Sequence, residues 1–79
     1  MDEAETNLAR GYINRIAELR KARGLTQAEM AQHLGISLDR YKKYERRSLL
    51  PPYLLPRFAA IVDRPIDYII TGRKPRSRS

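Results

Sequence analysis

The chain has 79 residues, with 16 Lys and Arg against 9 Asp and Glu, a formal net charge of +7. That length holds one small domain. It has no cysteine, which excludes disulfide staples, thiolate metal sites and a cysteine nucleophile. Its apolar runs are too short for a membrane span, and with none near Met1 no secretory leader is expected. A cytoplasmic domain with an anionic partner is the expectation.

The charge is uneven. Asp2, Glu3 and Glu5 against Arg10 make residues 1–11 acidic, and residues 1–10 are expected as a partly flexible arm. Arg73, Lys74, Arg76 and Arg78 fill a tail, 73–79, that has no apolar residue. Such a tail is expected to be disordered. Between them, Arg40, Lys42, Lys43, Arg46 and Arg47 place five cations in eight residues. A run of this kind is ordinarily a solvated helix face, and its meaning depends on the elements around it.

In chain order, Tyr12, Ile16 and Leu19, with Ile13 and Ala17 beside them, form one apolar stripe. This spacing predicts a helix over 12–23, with Leu8 placed where one more turn would begin. Gly24 follows as a left-handed cap. Thr26 and Glu29 form a capping box that starts a second helix at about Gln27. Its inward positions are Met30, Ala31 and Leu34, and Gly35 ends it. Ser37 caps a third helix over 38–46, with Tyr41 and Tyr44 on one side and cations on the others. After the Leu49-Leu50-Pro51-Pro52 loop, Pro52 suits the first turn of a fourth helix that carries Leu54, Leu55, Phe58, Ala59, Ile61 and Val62. Pro56 is tolerated if it also falls within that first turn. Asp63-Arg64-Pro65 breaks the chain, and Ile66, Tyr68, Ile69 and Ile70 make a short fifth helix ended by Gly72. Five short helices and no strand make an all-α bundle of local contacts.

Two short helices joined by a tight glycine-containing turn are a helix-turn-helix signature. Ala31 stands where the two helices approach most closely, and Gly35 takes the positive φ of the turn. Met30, Leu34, Ile36, Tyr41 and Tyr44 supply the buried spacers. Ser37, Leu38, Asp39, Lys42, Lys43 and Arg46 are left facing outward, as a helix that enters the DNA major groove requires.

Residues 12–72 resemble the DNA-binding domain of the phage repressor and Cro (Xre-type) helix-turn-helix family. The resemblance is carried by Ile16-Ala-Glu-Leu-Arg-Lys-Ala-Arg-Gly-Leu-Thr-Gln27, Ala31-Gln-His-Leu-Gly-Ile-Ser37, Tyr44-Glu-Arg46 and Phe58-Ala-Ala-Ile-Val-Asp-Arg-Pro-Ile-Asp-Tyr-Ile-Ile-Thr-Gly72. It implies a five-helix, lambda-repressor-like domain over 11–72 with its third helix in the major groove, and it implies transcriptional regulation. By resemblance, Gln27 contacts phosphate and braces the third helix. Ser37, Leu38, Asp39 and Lys43 match positions that meet base edges. Arg40 and Lys42 meet backbone or neighbouring bases, with Arg40 assigned to phosphate and Lys42 to bases. Arg46, Arg47 and Ser48 lie where the following loop grips phosphate, and Arg15 and Arg20 add to that grip from the first helix.

Some positions depart from the family pattern. Leu38 offers no hydrogen bond but can touch a thymine methyl, and Asp39 can accept from a cytosine amino group while repelling phosphate. Asp39 has a second reading, as an anion favouring the start of its helix. Tyr41 stands in place of an aliphatic residue, either packed in the core or partly exposed with its hydroxyl toward a phosphate. Arg64 replaces an apolar residue and is read as exposed.

Catalysis needs a placed base and nucleophile, or a metal. The single histidine, His33, faces outward, and nothing arranges His33, Ser37 and Asp39 as a triad. No glycine-rich phosphate loop is present. The chain is therefore read as no enzyme, with no cofactor and no metal. The function expected is a sequence-specific, double-stranded DNA-binding regulator, a repressor by preference, acting at the nucleoid. Its operator would have two-fold symmetry and hold a homodimer. The fifth helix offers Tyr68, Ile69 and Ile70 as dimer candidates, with closure of the domain's own core as the other reading for two of them. The alternative is an antitoxin-like or anti-repressor-like interaction module of the same fold with weak DNA binding. Leu38 and Asp39 favour that alternative and the cluster from Arg40 to Arg47 disfavours it. A toxin or RNA polymerase stays open as a protein partner. A membrane role is not expected, because the basic tail has no apolar anchor.

Overall fold

The computed structural model describes residues 3–73, and side chains from Asn7 onward. Five helices follow one another: α1 (Glu3–Ala22), α2 (Gln27–Leu34), α3 (Leu38–Arg46), α4 (Leu55–Val62) and α5 (Ile66–Thr71). There is no strand among the described residues. Met1, Asp2 and residues 74–79, most of the basic tail, lie outside the description.

The longest helix is the axis of the fold. α1 packs against α5, α3 and α4, and α2 packs on α3. The apolar stripe of α1 accounts for this, since Tyr12, Ile13, Ile16 and Leu19 are all buried. Met30 and Ala31 of α2, Tyr41 of α3, Phe58 of α4 and Ile69 of α5 close over it. Tyr12 also donates its hydroxyl to the Leu50 carbonyl at 2.8 Å, which fixes the loop after α3 against α1. Leu50 is 2% exposed and is a core residue, although it stands in a loop.

Two boundaries differ from the sequence expectation. α1 begins at Glu3, so residues 3–10, expected as an arm, continue the first helix. Leu8 signals one of these turns, but residues 3–7 carry no large apolar side chain that would extend the stripe further. The fourth helix begins at Leu55 rather than near Pro52. A start at Pro52 would place Pro56 in the second turn, where the missing N–H loses a hydrogen bond and the ring clashes with the preceding turn. With Leu55 first, Pro56 sits in the first turn. Residues 51–54 form a separate turn, in which Leu54 N–H donates to the Pro51 carbonyl at 3.0 Å.

The α2–turn–α3 unit forms as its sequence requires. The Thr26 hydroxyl accepts from Glu29 N–H at 3.0 Å, and Glu29 accepts from Thr26 N–H at 2.8 Å. Gly35 has φ 73°, a conformation that costs residues with a Cβ about 1–2 kcal/mol. It lets Ile36 N–H reach back to the Ala31 carbonyl at 3.0 Å. Ser37 then caps α3, its hydroxyl accepting from Arg40 N–H at 3.1 Å. The chain turns between the two helices within three residues, and Ala31, 2% exposed, lies in the core.

Candidate nucleic-acid interface

α3 buries Tyr41 and Tyr44 and leaves Ser37, Leu38, Asp39, Lys42 and Lys43 exposed. The expected base-reading set is therefore brought together on one solvent-facing edge. Arg46 and Arg47 are exposed at the end of the same helix, and Ser48 is half-buried just beyond. Arg47 and Ser48 N–H both donate to the Lys43 carbonyl at 2.9 Å, which turns the chain sharply at this point. The Arg46 carbonyl accepts from Arg10 of α1 at 3.4 Å. Leu38 is 37% exposed, an apolar contact on an otherwise polar edge. Tyr41 is core, fully buried, which removes it from any phosphate.

The position of α3 is set by a carboxylate that the sequence reading did not single out. Glu45 accepts from Arg20 Nε at 2.6 Å and Nη2 at 3.1 Å, a bidentate ion pair. It also accepts from Gln27 Nε2 at 3.0 Å and from the Tyr41 hydroxyl. Helices α1, α2 and α3 thus meet on one buried anion. Burial alone would raise the Glu45 pKa, but the hydrogen bonds from Arg20, Tyr41 and Gln27 and the Arg20 charge outweigh it, so it lies below the ordinary carboxylate range. Burial, aided by the Glu45 hydrogen bond and charge, pushes the Tyr41 hydroxyl far upward. One signal for this site is present in the sequence. Glu45 is the lone anion among five cations, one turn after the buried Tyr41.

This arrangement corrects two of the expected phosphate contacts. Arg20 is 8% exposed, and its remaining donor, Nη1, goes to the Leu25 carbonyl at 2.8 Å. Its donors are committed inside the fold, and it holds the frame of α3 instead of gripping phosphate. Arg15 donates to the Ile69 and Ile70 carbonyls at 2.8 and 2.6 Å, anchoring the end of α5. Gln27 keeps its expected bracing contact with the third helix, through Glu45.

Arg40 is exposed but not free. Its Nε donates to the Tyr44 hydroxyl at 2.9 Å and its Nη2 to the Tyr53 hydroxyl. The guanidinium carbon lies 6.0 Å from the Tyr44 ring centre and 5.7 Å from that of Tyr53. On α5, Ile69 is fully buried and belongs to the core of its own chain, which removes it from the dimer candidates. Tyr68 and Ile70 are half-buried against that core. His33, Asp63 and Arg64 are exposed. No helix among the described residues is long and apolar enough to cross a membrane.

A tight two-helix unit whose second helix presents a polar and cationic edge defines a helix-turn-helix protein. A family model described as a helix-turn-helix domain matches residues 14–65, and the chain belongs to that family, in its Xre-type branch. It is 38% identical over 60 residues to a Bacillus subtilis protein named uncharacterized HTH-type transcriptional regulator YobD, a match covering 75% of this chain and 54% of that one. It is 57% identical over 37 residues to the cryptic phage CTXphi transcriptional repressor RstR of Vibrio cholerae, covering 47% of this chain and 33% of that one. A second Bacillus subtilis protein, named uncharacterized HTH-type transcriptional regulator YqaE, is 36% identical over 62 residues, 77% of this chain and 53% of that one. The chain thus spans about half the length of the two Bacillus relatives and a third of the phage repressor. No solved structure matches it.

Proposed function

We propose that this domain binds double-stranded DNA sequence-specifically, with α3 in the major groove, and regulates transcription as a repressor. The observation that carries the reading is the division of α3. Its tyrosines are buried, and Ser37, Leu38, Asp39, Lys42 and Lys43 stand exposed beside Arg46 and Arg47. The relative named a transcriptional repressor supports the sign of regulation. Base edges are read by Ser37, Leu38, Asp39, Lys42 and Lys43. Phosphates are gripped by Gln27, Arg40, Arg46, Arg47 and Ser48. One domain of this size makes few base contacts, and two copies on a two-fold operator, with half-sites about 34–36 Å apart, double them.

The test is equilibrium binding to duplex DNA across a salt series. If about six phosphates are neutralised, affinity falls about a thousandfold between 50 and 200 mM salt. Flat or undetectable binding at low salt would sink the reading. One observation would then favour an interaction module of the same fold: an apolar groove lined by Leu8, Ala9, Tyr12, Leu49, Leu50 and Pro51. Leu8 and Leu49 there are 50% and 52% exposed.

A further inference from the structure

Arg40 and Tyr53 belong to different elements, α3 and the turn before α4, and meet at the surface through a hydrogen bond. The contact is unusual in what it lacks. Among the described residues the only ion pair is Arg20–Glu45, so Arg40 is held without a carboxylate. Its partners are two neutral hydroxyls and two aromatic faces, which fix its direction and leave its charge uncompensated. No described hydrogen bond uses Nη1 of Arg40. A tyrosine oxygen that accepts from arginine still has its own O–H to donate. Tyr53 is 65% exposed, so that proton is offered to solvent.

We propose that Tyr53 is a further DNA-contacting residue: its hydroxyl and the Nη1 group of Arg40 together hold one phosphate of the DNA backbone. The inference rests on the DNA reading above and adds to it a residue in the turn before α4. A solvated arginine loses rotamer freedom when it grips an anion. Here the two tyrosines impose that loss before DNA arrives, which is preorganisation. The ligand is a phosphodiester, because the site offers a cation and a hydroxyl donor and reads no base edge. It therefore supplies affinity and register with no sequence preference of its own.

The probes are a duplex recovered by selection from a random pool and a random-sequence duplex of equal length, each titrated with the full chain. Tyr53→Phe keeps the ring and removes the hydroxyl. It is expected to weaken binding to both duplexes by the same factor, about three- to tenfold. The salt slope should not change, because no charge is removed. The thermal midpoint should also hold. Arg40→Gln is expected to weaken both and to lower the salt slope by about one per subunit. The proposal is overturned if Tyr53→Phe binds like the parent chain, if its loss is confined to one base position, or if Arg40→Gln leaves the slope unchanged. Failure of the parent chain to bind either duplex overturns the DNA reading itself, and that result appears before any substitution is made.

Discussion

At the scale of single residues, the five cations of the 40–47 run divide into distinct jobs. Lys42 and Lys43 are exposed on the edge of α3, Arg46 and Arg47 are exposed at its end, and Arg40 is held by two tyrosines. Lys43→Ala is expected to relax base preference at one position per half-site and to cost about 1–3 kcal/mol there, as read in competition binding. Arg46→Ala should weaken every sequence equally and reduce the salt slope by about one per subunit. A base-specific loss from Arg46→Ala would exchange the two roles. Glu45 supports a different prediction. Arg20→Met leaves a buried carboxylate without its cation, and urea unfolding should report a loss of about 3–5 kcal/mol. Because the folded pKa of Glu45 is lowered, its contribution is full above the ordinary glutamate range. It is lost as pH falls through the folded value. Acid titration of stability should therefore show a decline that begins below about pH 4.5 and is shallower in Glu45→Gln. The exposed cations of α3 were legible from spacing and resemblance. The fates of Arg15 and Arg20 were not, because their partners are carbonyls and a carboxylate distant in sequence.

At the scale of elements, the two-helix unit depends on small residues. Ala31→Leu would force α2 away from its neighbours, an overpacking cost of about 1–3 kcal/mol. DNA binding should fall further than stability alone accounts for, since α3 would shift. Gly35→Ala meets nothing within 4 Å and suffers only its positive φ, so a loss of about 1–2 kcal/mol is expected. Gly72→Ala carries the same φ strain, and its Cβ would stand 2.5 Å from Nη1 of Arg15, a guanidinium that could move aside only by giving up its bonds to the Ile69 and Ile70 carbonyls. It should therefore cost more than Gly35→Ala, and thermal unfolding of the two variants checks the order. Caps and glycines made this unit legible, since Thr26, Glu29, Gly35 and Ser37 act on their own neighbours. The start of α4 was less legible because two prolines compete for one first turn, and only the position of Pro56 decides between them. Leu8 made one early turn of α1 legible, whereas residues 3–7 carry no large apolar side chain for periodicity to follow.

At the scale of the whole molecule, the +7 charge has two origins with different consequences. The cations of residues 40–47 are held on or beside α3, whose exposed edge is proposed to read bases. The tail cations, Lys74, Arg76 and Arg78, are proposed to add attraction to any polyanion without sequence information. Deleting residues 74–79 should weaken specific and random duplexes by the same factor and leave the preferred sequence unchanged. A change in the preferred sequence would give the tail a reading role. The proposed function turns on whether the exposed edge of α3 reads base pairs, and selection of bound duplexes from a random pool decides it. One enriched motif is expected, repeated with two-fold symmetry at a centre-to-centre spacing of about 10–10.5 base pairs, and altered at one position per half-site by Lys43→Ala. A pool that binds at low salt but yields no enriched motif would contradict it.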